Sequence, residues 1–480
     1  MSTRVIAHNT IIQIIGKIIS VALGLLALGM MTRYLGQEQF GWYITVISFL
    51  TFAGILTDFG LIPVSAQMLS EPEHDKTKLF RNLIGFRLAT AIIFLGLAPL
   101  AALFFPYPTI VKQAIALTAV AFIGVAINQV FFGLYQTKLK MHIPTIGELT
   151  GRIVLVVGLW LLINLKSGFI PIMMVVVLNS LSYTLILWIA AKKYTAVSPA
   201  FDWAVWQTIM KKMWPIAIAI IFNVVYLKGD AIILSIFKSQ SEVGIYGAAY
   251  RVIDILAQTA MMIMGVIMPL LAYNWSRNLK EEFKKYYQQA FDIIMLMAVP
   301  IIIGLIMLAD KIMIFVAGSE FADASRPLQI LAIAIFGVYL GAVFGHVAVA
   351  INRQKQTLWI YISDAILTLI GYLYFVPRFG MSGAAWMTVF SELYAGFLLW
   401  LTIRYYSQEK IQLKTFGKIL LSGLAMSAAL WSTKSTGLFI QLPVACLAYL
   451  MAIFSLGAVS RQTIKDVFTL KTKNQAAPPT

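Results

Sequence analysis

Residues 214–246 read WPIAIAIIFNVVYLKGDAIILSIFKSQSEVGIY. Residues 214–237 are apolar almost throughout, with Lys228 and Asp230 set inside the run. A polar turn, Ser239-Gln240-Ser241-Glu242, follows, and Val243-Gly244-Ile245-Tyr246 opens a second apolar run. A helix needs about 20 apolar residues to cross a bilayer. The stretch therefore predicts one transmembrane helix, a tight turn and the start of the next. Reading outward in the same way places fourteen spans near 9–31, 41–63, 83–105, 113–134, 146–164, 169–191, 214–237, 243–272, 289–309, 328–351, 356–376, 381–403, 415–433 and 437–459. The fold class expected is all-α, a polytopic membrane protein with 14 transmembrane helices. Composition agrees, with 60% hydrophobic and 12% charged residues and a mean hydropathy of +0.84. A soluble domain of 480 residues would need far more surface charge.

The loops fix an orientation. With the N-terminus placed inside, 24 basic residues fall on inner loops and 8 on outer ones. That bias follows the positive-inside rule and predicts a cell-membrane protein with both termini cytoplasmic. It also accounts for most of the net charge of +17, which meets anionic headgroups rather than nucleic acid. The first span is too long for a signal-peptide core and is expected to be retained. Segments 63–81 and 277–288 mix apolar and charged residues. They read either as short amphipathic helices at the inner interface or as solvated loops.

The chain is internally duplicated. Phe40-Gly41-Trp42-Tyr43 matches Val243-Gly244-Ile245-Tyr246 at a Gly-to-Gly offset of 203. Leu187-Trp188 with Lys192-Lys193-Tyr194 matches Leu399-Trp400 with Arg404-Tyr405-Tyr406 at an offset of 212. Spans 1–6 thus correspond to spans 7–12. Two six-helix lobes, 1–200 and 201–411, are expected, related by a pseudo-two-fold along the membrane normal. Residues 412–462 supply two extra C-terminal helices, and 463–480 a cytoplasmic tail. In such a design the functional site lies between the repeats.

Ionisable residues in hydrocarbon cost about 2.5–3.5 kcal/mol on insertion scales, so they face a cavity or a partner. The embedded bases are Lys17, Arg87, Arg152, Lys228 and Arg251; the acids are Asp58, Glu148, Asp230, Asp254, Asp292, Asp364 and Glu392. Glu148 with Arg152 and Arg251 with Asp254 are spaced to pair on one helix face. Lys17, Lys228 and Arg251 place positive charge in both repeats, which suits an anionic group held between them. Asn128, Gln129, Asn179, Ser180 and Asn223 either line a sugar path or bond between helices. Trp42, Tyr43, Trp203, Trp206, Trp214, Tyr405 and Tyr406 are assigned to an interfacial belt.

Other chemistries lack their residues. No Walker A sequence is present, which excludes ATP-driven transport by this chain. His8, His74, His142 and His346 have no metal-ligand spacing. No metal site, cofactor or enzyme activity is expected. A single cysteine, Cys446, excludes an intramolecular disulfide.

Tyr34-Leu35-Gly36, Phe40-Gly41-Trp42-Tyr43 and a span ending Asp58-Phe59-Gly60-Leu61 resemble the start of the polysaccharide-biosynthesis flippases. These are the O-antigen and lipid-linked oligosaccharide translocases of the multidrug/oligosaccharidyl-lipid/polysaccharide exporter superfamily. Gly229-Asp230, Val243-Gly244-Ile245-Tyr246 and Tyr250-Arg251 are similar to that family's second-half opening. The resemblance implies alternating access and flipping of an undecaprenyl-diphosphate-linked oligosaccharide to the outer leaflet for cell-surface polysaccharide biosynthesis. It implies that Lys17, Arg87, Lys228 and Arg251 meet the diphosphate. Asp58, Asp230, Asp254, Asp364 and Glu392 are then candidates for gating or ion coupling. Spans 13–14 would help form a groove for the lipid tail. The implied partners are the lipid-linked glycan, membrane lipids, polysaccharide polymerase and glycosyltransferases. A lipid II flippase, a multidrug cation antiporter of the same superfamily and a non-transporting scaffold remain as alternatives.

Overall fold

The structure is a computed structural model that describes residues 3–58, 61, 68, 75–138 and 140–458. It describes the side chains of all of these except 3–11, 14, 58, 212 and 214–228. The predicted tail and, within the end of span 2 and segment 63–81, residues 59–60, 62–67 and 69–74 lie outside the described residues. Among the described residues the fold is all-helical. The helices are α1 (Thr3–Asp58), α2 (Lys76–Ala102), α3 (Thr109–Thr137), α4 (His142–Asn164), α5 (Phe169–Ala191) and α6 (Trp203–Phe237). They continue with α7 (Gln240–Ser276), α8 (Lys280–Ala317), α9 (Ser325–Ala350), α10 (Leu358–Ser407), α11 (Lys414–Ser432) and α12 (Leu438–Ser455).

Among the described residues ten stretches are long and apolar enough to cross a membrane, against the fourteen expected along the whole chain. Two pairs of expected spans run on as single long helices. Spans 1 and 2 form α1, broken at Gly36 (φ 64°), and spans 11 and 12 form α10, broken at Gly380 (φ 56°). Each break needs a left-handed backbone that glycine adopts without steric cost. The outer turn expected between spans 1 and 2 is therefore a one-residue kink. The apolar stretch Ile15–Thr57 has 43 residues, or about 65 Å of helix, twice the hydrocarbon thickness of about 30 Å. The helix α11 is not among the ten, because it dilutes its apolar run with Lys414, Lys418, Ser422 and Ser427. Segment 277–288 is no separate interfacial helix, because Lys280 begins α8 and the helix continues to Ala317.

The outer faces carry bare apolar side chains such as Phe104, Trp431 and Phe439. Only a bilayer solvates that much apolar surface. This chain is a multi-pass membrane protein.

The chain divides into two compact units. Unit 1 comprises residues 1–255, 313–331 and 358–395. In it a buried core of Leu79, Phe80, Leu83, Phe131, Leu134, Leu187 and Ile209 joins α2, α3, α5 and α6. The connection from α5 to α6 is clipped to α2. Asp202 caps α6 by accepting from the amides of Ala204 and Val205, at 3.1 and 3.4 Å. Its carboxylate also pairs with Lys78 at 2.7 Å, and its own amide donates to Asn82 Oδ1 at 2.8 Å. Unit 2 comprises 256–312, 332–357 and 396–480. There Lys311 on α8 donates to the carbonyls of Lys434 and Thr436 and to Gln441 Oε1. That clamps the α11–α12 turn, while Tyr449 of α12 donates to Leu296 O at 2.9 Å.

Within unit 1 a close helix crossing joins α1 to α7. A Cβ added to Gly41 would stand 1.7 Å from Gln240 O, and one added to Gly244 would stand 2.1 Å from Gln37 O. Gln37 and Gln240 differ by 203, the same offset that relates Gly41 to Gly244. The contacts are reciprocal, as a local two-fold between equivalent residues requires. Small residues let the helix backbones meet, the usual device for packing in lipid.

Gly244→Val should overpack this crossing and destabilise the protein by about 1–3 kcal/mol or more, read as a lower melting temperature of the purified protein in detergent. The Asp202 carboxyl is held below its ordinary range chiefly by its hydrogen bond to Lys78. Its contribution is therefore complete above the unfolded carboxylate range near pH 4 and is lost as pH falls through the lower folded value. Melting curves of wild type and Asp202→Asn should converge on acidification below about pH 4.

Candidate functional site

Beyond the crossing, α1 and α7 diverge around a small polar cavity of about 110 Å³. Its walls are Ile44, Ile47, Ser48 and Thr51 from α1, Gly247, Tyr250, Arg251 and Asp254 from α7, with Tyr246 and with Asp230 and Ala231 from α6. The first eight are four pairs at an offset of 203: Ile44 with Gly247, Ile47 with Tyr250, Ser48 with Arg251, and Thr51 with Asp254. The cavity thus sits on the local two-fold, and both sequence repeats line it. Its charge is one-sided. The first repeat offers aliphatic and hydroxyl groups, and the second offers the arginine and the acid.

Arg251 lies partly exposed, with its guanidinium 5.9 Å from the Tyr43 ring centroid. Tyr43, one of the aromatics assigned to an interfacial belt, thus stands beside Arg251. Asp230 is buried to 2% exposure. Its Oδ2 accepts from the Tyr246 hydroxyl and its Oδ1 from the Ala231 amide, both at 2.7 Å. The Thr388 hydroxyl touches Tyr246 at 3.4 Å and Tyr372 at 3.1 Å, which ties this network to α10. A second buried carboxylate, Asp364, accepts from Thr368 at 3.0 Å and from Ser391 at 2.9 Å. The Ser391 bond stitches the two segments of α10 across their kink. Asp364, held by two hydroxyl donors, is a place where a proton or a small cation can add, since a hydroxyl donor does not cancel its charge. Among the described residues no cluster of three His, Cys, Asp or Glu has metal-site geometry.

The other expected residues are placed elsewhere. Lys17 pairs with Glu148 at 3.5 Å, and Ser20 also donates to Glu148, at 2.6 Å. Glu148 therefore takes its cation from α1 and not from Arg152, because Arg152 reaches over Gly24 instead. Arg87 is buried at 1% exposure and donates to the carbonyls of Ala126 and Thr57. Glu392 is half-buried on α10. The side chains of Asp58 and Lys228 lie outside the described residues. Ser180 bonds between helices, to Ala121 O at 2.7 Å. Tyr246, Tyr372, Thr388 and Ser391 escaped sequence reasoning. Extending the Gly41–Gly244 match by about two to three turns would have paired Ser48 with Arg251 and Thr51 with Asp254, and so outlined the cavity.

One seam beside the crossing closes unit 1 near the kink at Gly36. Arg33 donates to the carbonyls of Ile314, Phe315 and Val316 at 3.3, 2.6 and 3.1 Å, capping α8. Ser241 donates to Gln37 Oε1 at 2.7 Å, and Thr45 to Gln240 Oε1 at 2.7 Å. Glu242 accepts from the Met381 amide at 2.6 Å, fixing the kink of α10.

Residues 30–326 match the polysaccharide biosynthesis protein family. A probable low-salt glycan biosynthesis flippase of Haloferax volcanii, Agl15, is 28% identical over 206 residues, which is 43% of this chain and 44% of that protein. An uncharacterised membrane protein of Methanocaldococcus jannaschii is 21% identical over 251 residues, 50% of this chain and 49% of that one. The matches thus span about half the length of these relatives. Among solved structures, lipid II flippase MurJ in an inward closed conformation aligns with a TM-score of 0.77 and 17% identity, covering 92% of this chain and 98% of that one. An inward-facing multidrug resistance MATE family transporter of the MOP superfamily aligns at 0.64 and 12% identity, covering 83% and 98%. These likenesses carry the fold.

Tyr246→Phe removes the hydroxyl donor from Asp230. The expected cost is about 1–3 kcal/mol in thermal or denaturant unfolding. In an Asp230→Asn background the same change should cost clearly less, because the charged acceptor that strengthens the bond is already gone.

Proposed function

The chain belongs to the polysaccharide biosynthesis protein family, and from that premise we propose that it flips a lipid-linked glycan across the membrane. The substrate is an undecaprenyl-diphosphate-linked oligosaccharide, moved from the cytoplasmic to the outer leaflet by alternating access, with no covalent chemistry. Both termini are cytoplasmic, and the two repeats act as the alternating lobes. Polysaccharide polymerase and glycosyltransferases are its partners.

The observation that carries this reading is Arg251 on the two-fold cavity. A diphosphate cannot enter hydrocarbon bare, and a fixed guanidinium replaces part of its hydration with charge-assisted hydrogen bonds. At 110 Å³ the cavity is well below the roughly 300–1,000 Å³ of ligand pockets. The diphosphate therefore enters only after the cavity widens. Asp254 lines the same cavity as Arg251 and competes for its charge. Proton or cation uptake at Asp254 frees Arg251 for the phosphates and couples the cycle to an ion gradient, with Asp230 and Asp364 as further coupling candidates. Lys17 and Arg87, each already engaged, join the substrate only if their present partners release them.

The test is a reconstituted flipping assay with a lipid-diphosphate oligosaccharide, run beside lipid II and a cationic drug. Arg251→Ala should slow flipping by about 10–100-fold, the worth of a hydrogen bond to a charged group, and Arg251→Lys should keep more of the rate. An unchanged rate for Arg251→Ala would remove the site. Transport of lipid II or of the drug in preference to the oligosaccharide would replace the substrate.

A further inference from the structure

Unit 2 carries a second cavity, of about 390 Å³. Six aromatic rings line it: Phe291 from α8, Phe336 and Phe344 from α9, Phe397 and Trp400 from α10, and Phe416 from α11. Leu340, Ile411 and Leu413 complete the apolar wall. Its polar groups are two cations, Arg404 near the end of α10 and Lys410 in the connection to α11. No carboxylate lines it. Arg404 rests 5.6 Å from the Trp400 ring centroid. Among the described residues, neither Arg404 nor Lys410 has an ion pair.

The pocket is built rather than incidental. The connection that carries Lys410 is pinned to α8 by a two-way bond: Gln288 Nε2 donates to Gln412 O at 3.0 Å, and the Gln412 amide donates to Gln288 Oε1 at 2.8 Å. The Phe416 ring sits 6.0 Å from Phe291 and 6.2 Å from Phe336, closing the floor. A soluble anion has no use for an aromatic chamber of this size. A neutral hydrocarbon has no use for two cations at its rim. An amphiphile with an anionic head satisfies both, and the bilayer holds such molecules at high concentration.

We propose that this pocket binds an anionic membrane phospholipid, with one acyl chain among the rings and the phosphate on Arg404 and Lys410. The site is separate from the polar cavity of unit 1 and does not depend on which glycan is moved. It takes no part in substrate recognition.

The probe is phosphatidylglycerol against phosphatidylcholine, added in equal amounts to the full-length protein in detergent and read as retained lipid by native mass spectrometry. Wild type should retain phosphatidylglycerol preferentially. A basic residue near a phosphate surface is worth about fivefold, so Arg404→Gln with Lys410→Gln should lower the preference by roughly 25-fold. Neutralising Lys284 and Lys285, which lie on α8 outside the pocket, should leave it unchanged. Leu340→Trp, which fills the pocket without touching its charge, should abolish retention and decides the matter if the charge variant fails to fold. Equal retention of the two lipids by wild type would overturn the proposal, as would full retention by Leu340→Trp. Displacement of phosphatidylglycerol by an equal amount of undecaprenyl phosphate would overturn it too, since the pocket would then belong to the transported lipid.

Discussion

The backbone contact of Gly41 with Gln240 and of Gly244 with Gln37 is the constraint on which unit 1 depends. Helices in a bilayer gain little from apolar burial, because lipid is as apolar as leucine. What remains is close packing and the hydrogen bonds that close packing permits. Two glycines at equivalent positions let α1 and α7 meet backbone to backbone, and the same approach brings Thr45 and Ser241 within bonding distance of Gln240 and Gln37. Once that point is fixed, the residues three to ten positions further along both helices must face one another. The polar cavity is the space they leave.

A two-fold arrangement need not carry two-fold chemistry. Ser48 and Thr51 occupy the positions that Arg251 and Asp254 occupy in the other repeat. Two arginines on the axis would repel within a few ångströms at reduced dielectric. Duplication therefore fixes the cavity's shape, while divergence confines the charge to one wall. Hydroxyls on the facing wall can turn to donate or to accept, so they tolerate Arg251 whether or not a phosphate is present.

How far the sequence foretold this differs between helices and side chains. Hydropathy located every long helix, because a run of about 20 apolar residues has few uses besides spanning. It misread the kinks at Gly36 and Gly380, because a polar turn and a one-residue left-handed kink share the same composition; only φ separates them. Among the embedded charges, Arg251 and Asp254, spaced three apart on one helix, both line the cavity. Spacing failed for Glu148, whose partner Lys17 lies 131 positions away on α1. Same-helix spacing says which residues can meet, while cross-helix packing says which do. For that reason the tyrosine and threonine around Asp230 were invisible, although each was in plain sequence view.

The crossing also limits how the cavity can widen. Thr51 and Asp254 lie ten residues past Gly41 and Gly244, or about 15 Å along each helix. Pulling the helices straight apart would break the backbone packing and the Ser241–Gln37 and Thr45–Gln240 bonds across it, each bond worth about 0.5–1.5 kcal/mol net. Rotation about the contact keeps it intact, and a turn of about 10° moves the far residues by only about 2.6 Å over that lever. The bonds that must yield to such a turn differ in kind. Those from Arg33 to the end of α8 are exposed, so water can replace them at little net cost. The Tyr246–Asp230 bond is buried, and water cannot reach it until the cavity has already opened. Opening is therefore cheapest when it starts from the solvated seam and reaches the buried carboxylate last.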